Sequence, residues 1–297
     1  MSLLKYVSIV CLLSMDLIGQ ETPLQYQTLK TSQGVIAYID TGGKGFPIVC
    51  IHGNSCSSEV FKKQIAAFRD RYRMIAIDLP GHGRSSIPYD PDMTYTIPGY
   101  AALIHEVVDS LELGPFAIVG FSLGGNIALQ WTELFNDPIQ GIMIISSAPM
   151  KYSEESRLAY PPYAGGYSAF PGQLTEAQAK QYTSVCGFHI EDPSVYFMVE
   201  DAMKTDGKSR EKMVASVLAG RGVNETKIVS GLNIPLAVVV GSNDSALGLE
   251  YIRQLNYRHL WRKKVQCIED AQHAIPIQQS EELHTLLKAF LEEIQVK

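Results

Sequence analysis

The stretch Pro115-Phe116-Ala117-Ile118-Val119-Gly120-Phe121-Ser122-Leu123-Gly124-Gly125 decides the reading of this 297-residue chain. An apolar run of strand length, a turn with glycines two positions before and two after a serine, and a helix-like pattern from Leu123 to Phe135 follow one another without a break. Glycines at those positions let the backbone turn sharply without a side-chain clash, which holds the Ser122 hydroxyl clear of the chain. The helix that follows aims its unpaired N–H groups, and the positive end of its dipole, at the same place. Negative charge growing on a substrate oxygen is stabilised there, and the Leu123 N–H is the nearest donor. Gly120, Gly124 and Gly125 do not make G-x-G-x-x-G, so the turn lacks the dinucleotide fingerprint. Taken alone, G-x-S-x-G also fits an ordinary strand-to-helix turn.

Three other segments change the weight of that turn. Phe46-Pro47-Ile48-Val49-Cys50-Ile51 leads into His52-Gly53-Asn54, a buried-type strand followed by a loop whose glycine lets backbone amides face inward. Arg73-Met74-Ile75-Ala76-Ile77 runs into Asp78-Leu79-Pro80-Gly81-His82-Gly83-Arg84-Ser85, a strand and then a turn rich in glycine and proline. Late in the chain, Pro235 to Gly241 leads to Asp244, and Val265-Gln266-Cys267-Ile268 leads to His273. Each places a titratable group just beyond the carboxyl end of a strand, where open α/β sheets keep their sites.

From about Gln33 to the C-terminus the chain resembles the α/β-hydrolase fold superfamily, on four marks in order: His52-Gly53, Asp78 to Ser85, Gly120 to Gly124, and the late Asp244 and His273. The resemblance implies Ser122 as nucleophile, His273 as general base and then acid, and Asp244 as the group orienting the imidazole. It also implies an oxyanion hole built from the backbone N–H groups of Leu123 and Asn54. Asp270, three residues before His273, is a rival for the acid. A further position used in the superfamily follows the strand after the elbow helix, but that strand ends Ser146-Ser147-Ala148 with no carboxylate. Dehalogenases and epoxide hydrolases of this fold carry aspartate at the elbow, and Ser122 argues against both. Many relatives have glycine before the histidine where this chain has Gln272, so the loop at His273 is expected to differ.

Helical patterns at about 58–70, 97–113, 123–135, 246–257 and 280–294 alternate with the buried strands, which predicts an α/β fold with a mostly parallel central sheet flanked by helices. The pattern breaks between Pro149 and about Ser230, where the family carries a helical cap after the sixth strand. The expected organisation is a core of residues 21–148 and 231–297, with a cap at 149–230. Cap residues Tyr152, Tyr160, Tyr163, Tyr167, Phe170, Phe188, Tyr196, Phe197, Met198 and Met203 either line an apolar pocket or form the cap's own core.

Residues 1–20 hold one basic residue, Lys5, then an apolar run of signal-peptide length, but Asp16 and the lack of A-x-A fit a plain N-terminal extension equally. Localisation, cytoplasmic or secreted, turns on that segment. The five scattered cysteines read as free thiols rather than a disulfide framework. A hydrophobic content of 46% suits a substantial core, and a net charge of −6 with no aromatic-basic patch argues against nucleic acid as a partner. No later segment is apolar for long enough to span a bilayer. No H-E-x-x-H or C-x-x-C spacing calls for a metal, and His52 and His82 read as structural or pocket-edge residues. The expected activity is cofactor-independent hydrolysis of an ester or related acyl bond of a small apolar substrate through an acyl-enzyme. Carbon–carbon bond hydrolysis with the same triad, or a ligand receptor on a hydrolase scaffold, are the alternatives. Oligomeric state is not legible.

Overall fold

A computed structural model of the chain describes residues 24–161 and 172–295. The expected N-terminal segment 1–20 and three of the expected cap aromatics, Tyr163, Tyr167 and Phe170, lie outside the described residues. An eight-stranded sheet forms the centre: β1 (Tyr26–Thr31), β2 (Gly34–Asp40), β3 (Phe46–Ile51), β4 (Tyr72–Ile77), β5 (Phe116–Phe121), β6 (Ile139–Ile145), β7 (Leu236–Gly241) and β8 (Gln266–Ile268). Its order is β1-β2-β4-β3-β5-β6-β7-β8. β1 and β2 form an antiparallel hairpin, β2 runs antiparallel to β4, and β3 to β8 are parallel.

The parallel strands bury both faces because successive side chains point into different cores. Ile48 and Cys50 of β3 join the cluster that contains Phe68, Leu287 and Phe290, whereas Val49 and Ile51 join the one that contains Tyr100, Ile127 and Trp131. Helices supply both layers. In the first half they are α1 (Lys62–Phe68), α2 (Pro91–Thr94), α3 (Ile97–Ser110) and α4 (Leu123–Leu134). Between β6 and β7 come α5 (Ser156–Ala159), α6 (Glu176–Val185), α7 (Phe197–Lys204), α8 (Gly207–Leu218) and α9 (Glu225–Gly231), followed after β7 by α10 (Leu249–Gln254), α11 (Ile275–Gln278) and α12 (Ser280–Gln295).

The α/β class and the mostly parallel core agree with the sequence, and α5 to α9 lie between β6 and β7. Three details differ. The β1–β2 hairpin has no counterpart in the motif reading, since its outer strand buries a single residue and carries no apolar run. The pattern at 246–257 yields a helix only over Leu249–Gln254, because Gly248 and Leu255 take non-helical backbone at its two ends. Cys267, expected in a buried strand, is exposed: β8 is the edge of the sheet and only alternate residues face inward.

Candidate active site

Ser122 stands between β5 and α4 with φ 52° and ψ −119°, a backbone state that costs about 1–3 kcal/mol for a residue with a side chain. The surroundings hold it there. Its N–H donates to Ile145 O at 2.8 Å, and its carbonyl accepts from the Gly125 N–H at 2.9 Å. The flanking glycines are required by close approach: a Cβ on Gly120 would lie 2.4 Å from Gly124 O, and one on Gly124 would lie 2.0 Å from Ile51 O. At Gly53 the approach is looser: a Cβ would lie 3.1 Å from Ser122 Cβ and 3.2 Å from the Phe121 ring, a contact that asks those side chains to give by a few tenths of an ångström.

Strand ends bring the other two groups to this turn. His273 Nε2 lies 3.0 Å from Ser122 Oγ, and His273 Nδ1 lies 2.9 Å from Asp244 Oδ2. The other Asp244 oxygen accepts from the Ala246 N–H at 3.0 Å, so the carboxylate is held at both ends. All three side chains are buried, with the His273 ring tilted against Phe121 at 5.5 Å between centroids. With an ionised Asp244 as acceptor, Nδ1 carries the proton and the Nε2 lone pair faces the serine hydroxyl. The rival Asp270 is exposed and has φ 57°. Gln272, the departure from the family pattern, packs against Gly187 of the insertion, where a Cβ would meet it at 2.8 Å.

Leu123 is the first residue of α4, so its N–H has no partner within the helix. Among the described residues neither it nor the Asn54 N–H donates a hydrogen bond. The Asn54 side-chain Nδ2 is also buried without a partner there, a donor that motif reading had no means to single out. His52 braces the loop. Its Nε2 accepts from the Leu79 N–H at 2.9 Å and its Nδ1 donates to Gly53 O at 2.7 Å, while burial pushes its pKa down to about 4 and keeps it neutral. Burial lowers His82 as well, to about 3, which suits packing rather than proton transfer at neutral pH.

A narrow pocket reaches Ser122 and His273. Its core side is Asn54, Cys56 and Phe121; its insertion side includes Tyr182, Cys186, Phe188 and Met198. Burial pushes the Cys56 thiol well above its ordinary range, so this neighbour is no rival nucleophile at neutral pH. Of the expected cap residues, Phe188 and Met198 thus face the cavity, whereas Tyr152 hydrogen-bonds Glu225 and Tyr196 hydrogen-bonds Glu176. Among the described residues no group of three or more His, Cys, Asp or Glu side chains is placed to hold a metal, and no helix is long and apolar enough to cross a membrane.

Residues 47–185 match the family model for the alpha/beta hydrolase fold. Over shorter stretches the chain is 34% identical to a serine hydrolase-like protein of Danio rerio (104 residues, 35% of this chain and 31% of that protein) and 34% identical to haloalkane dehalogenase 2 of Mycobacterium tuberculosis (122 residues, 41% and 42%). The matched stretch thus spans less than half the length of these curated relatives. A crystal structure of the N-acyl homoserine lactonase AidH complexed with N-butanoyl homoserine superposes with a TM-score of 0.84 at 30% identity, covering 91% of this chain and 97% of that one. Similarity that runs through nearly the whole of both chains, with the matched family model, makes this protein a member of the α/β-hydrolase fold superfamily.

Proposed function

We propose that the protein is a serine hydrolase that cleaves an ester-type acyl bond, lactone rings included, through a covalent acyl-enzyme on Ser122. The observation that carries this reading is the continuous chain Ser122 Oγ, His273, Asp244, at 3.0 and 2.9 Å in a buried pocket. His273 Nε2 removes the Ser122 proton as Oγ attacks the carbonyl carbon. The Leu123 and Asn54 N–H groups receive the oxygen that becomes negative, and the dipole of α4 adds to that field. The imidazolium, stabilised by Asp244, returns its proton to the leaving alkoxide. Water, deprotonated by the same nitrogen, then attacks the acyl carbon, and Ser122 leaves with the proton restored.

A lactone as substrate is supported by the likeness to AidH, whose complex holds the ring-opened N-butanoyl homoserine. In a lactone the leaving alcohol stays tethered to the acyl part, and the same steps release one molecule of hydroxy acid. The apolar wall that Phe121, Phe188 and Met198 give the pocket matches the chemistry of an acyl chain. A fluorophosphonate probe followed by peptide mapping tests the nucleophile: label is expected on Ser122 and absent in Ser122→Ala. Assays of p-nitrophenyl esters against N-butanoyl and N-hexanoyl homoserine lactone then test the substrate. Fast multiple turnover supports an enzyme, whereas one stable labelling event per chain would favour a receptor.

A further inference from the structure

The loop that carries Asn54 is gripped from outside the core by three different helices of the insertion. The Tyr182 hydroxyl, on α6, donates to Asn54 O at 3.2 Å. Arg210 Nη1, on α8, donates to Ser55 Oγ at 2.8 Å, and its Nη2 donates to Gly172 O. Ser57 Oγ donates to Asp201 Oδ2, on α7, at 2.6 Å. Every one of these side chains is buried; Arg210, a cation, is 1% exposed and Asp201 is 6% exposed. A buried guanidinium and a buried carboxylate are costly groups, and both are aimed at a loop of four residues beside the nucleophile. Ser55 itself sits at φ 57°, so the loop is held in a conformation that its own backbone disfavours.

The core supplies a different set of contacts to the same loop. His52 fixes Gly53, and Asp78 accepts the Ser58 N–H at 2.7 Å, one residue outside each end of the gripped stretch. The Gly53–Asn54 peptide that presents the Asn54 N–H is held by the core on its carbonyl side, where Gly53 O accepts from His52 Nδ1, and on its other side it runs into Ser55 and Ser57, which the insertion holds. We propose that Arg210 and Asp201 are positioning residues for the reaction: through Ser55 and Ser57 they aim the Asn54 N–H at the developing oxyanion, so the insertion completes the oxyanion hole. This rests on the acyl-enzyme reading above. A donor displaced by about an ångström loses much of its catalytic worth, which sets the expected effect at about ten- to a hundredfold in kcat.

Ser55→Gly is the most telling variant, because it removes the hydroxyl that Arg210 holds while glycine relaxes the positive φ. With p-nitrophenyl butyrate, kcat should fall about ten- to a hundredfold with KM within about twofold, in a variant that still unfolds cooperatively. Inhibition by a trifluoromethyl ketone, whose tetrahedral adduct occupies the oxyanion hole, should weaken by the same factor. Asp201→Asn keeps an acceptor for Ser57 and should retain kcat within about threefold, whereas Asp201→Ala should show the full loss. That pair decides the matter if Ser55→Gly fails to fold. Unchanged kcat in folded Ser55→Gly or Asp201→Ala, or a loss confined to KM, overturns the positioning role while fluorophosphonate labelling of Ser122 leaves the acyl-enzyme reading intact. If the parent protein is not labelled at Ser122, both fall together.

Discussion

Two turns meet at the reactive serine, and they are built in opposite ways. The elbow at Gly120 to Gly124 is held by backbone: glycines that admit carbonyl oxygens where no Cβ fits, and a serine N–H bonded to β6. The facing loop at Asn54 to Ser57 is held by side chains that arrive from the insertion, Asp201 from 144 residues away and Arg210 from 155. The elbow is therefore a property of local spacing and the loop a property of tertiary partners. Chemistry common to a superfamily can reside in the first, while the second leaves room for each member to couple its insertion to the reaction.

The largest expected effect lies on the elbow side. By analogy with serine-protease triads, Ser122→Ala or His273→Ala should lower kcat by about 10⁴ to 10⁶-fold, and Asp244→Asn by about 10³ to 10⁴-fold, in steady-state ester hydrolysis. The losses should not add in double variants, since the three groups act as a unit. Asp270→Asn, at an exposed position away from the imidazole, should be mild. A severe Asp270→Asn with a mild Asp244→Asn would reassign the acid and undo the local reading of the site.

A structural test of the same turn comes next. Gly124→Ala would place a Cβ 2.0 Å from Ile51 O and 2.8 Å from His52 O, both main-chain atoms that cannot swing aside. A loss of more than about 4 kcal/mol in denaturant unfolding is expected, at the severe end for a single substitution. If Gly124→Ala unfolded at the same denaturant concentration as the parent, the elbow would not be held by backbone packing, and the contrast between the two turns would collapse.

How much was legible follows the same division. The strand-turn-helix around Ser122, the loop at His52-Gly53 and the late Asp244 and His273 each announce themselves within about ten residues, and the structure brings Ser122, His273 and Asp244 into hydrogen-bond reach. Strands β3 to β7 are legible because burial on both faces demands unbroken apolar runs. The β1–β2 hairpin is not, since Tyr26–Thr31 is an edge strand with a single buried residue and no apolar run. Arg210 and Asp201 are invisible for another reason: a lone arginine or aspartate on a short helix carries no sign that it turns inward to a serine some 150 residues earlier. The pocket wall is half legible. An apolar list for the insertion contains Phe188 and Met198, but it also contains Tyr152 and Tyr196, whose hydroxyls pair with glutamates elsewhere.

Phe188 sharpens that half. It is buried and lines the cavity with Ser122, so Phe188→Ala should enlarge the space for the acyl part. A methylene gained or lost in such a pocket is worth roughly 1–3 kcal/mol, so kcat/KM ratios between homologous esters should shift by about ten- to two-hundredfold toward longer chains. Labelling of Ser122 by a fluorophosphonate should persist. An unchanged chain-length profile would assign Phe188 to the packing of the insertion.

The smallest expected effect concerns the base of the insertion, where Glu225 joins it to the elbow helix. Its Oε2 accepts from Asn126 Nδ2 at 2.7 Å and from the Met150 N–H at 3.0 Å, and its Oε1 accepts from the Tyr152 hydroxyl at 2.9 Å. Asn126, one turn beyond Ser122, in turn accepts from the Tyr160 hydroxyl at 2.6 Å. Burial pushes the Glu225 carboxyl up to about 8 against the pull of these donors. The folded chain therefore holds a proton that the unfolded chain, with its carboxyl near the ordinary value of 4.5, gives up. Between those two values the folded state binds more protons, so stability falls as pH rises from about 4.5 through about 8. Glu225→Gln removes this titration and replaces an acceptor oxygen by a donor. The variant should be less stable than the parent at pH 5, by on the order of 1 kcal/mol, and the gap should close and then reverse as pH rises to 8.5. Asp201, raised by burial to about 7, slopes the same way in both proteins and cancels from the difference. Paired melting curves across that range read the result. A gap that widened with pH would mean that the network favours the ionised carboxylate, and that the base of the insertion is held by charge as firmly as the elbow is held by backbone.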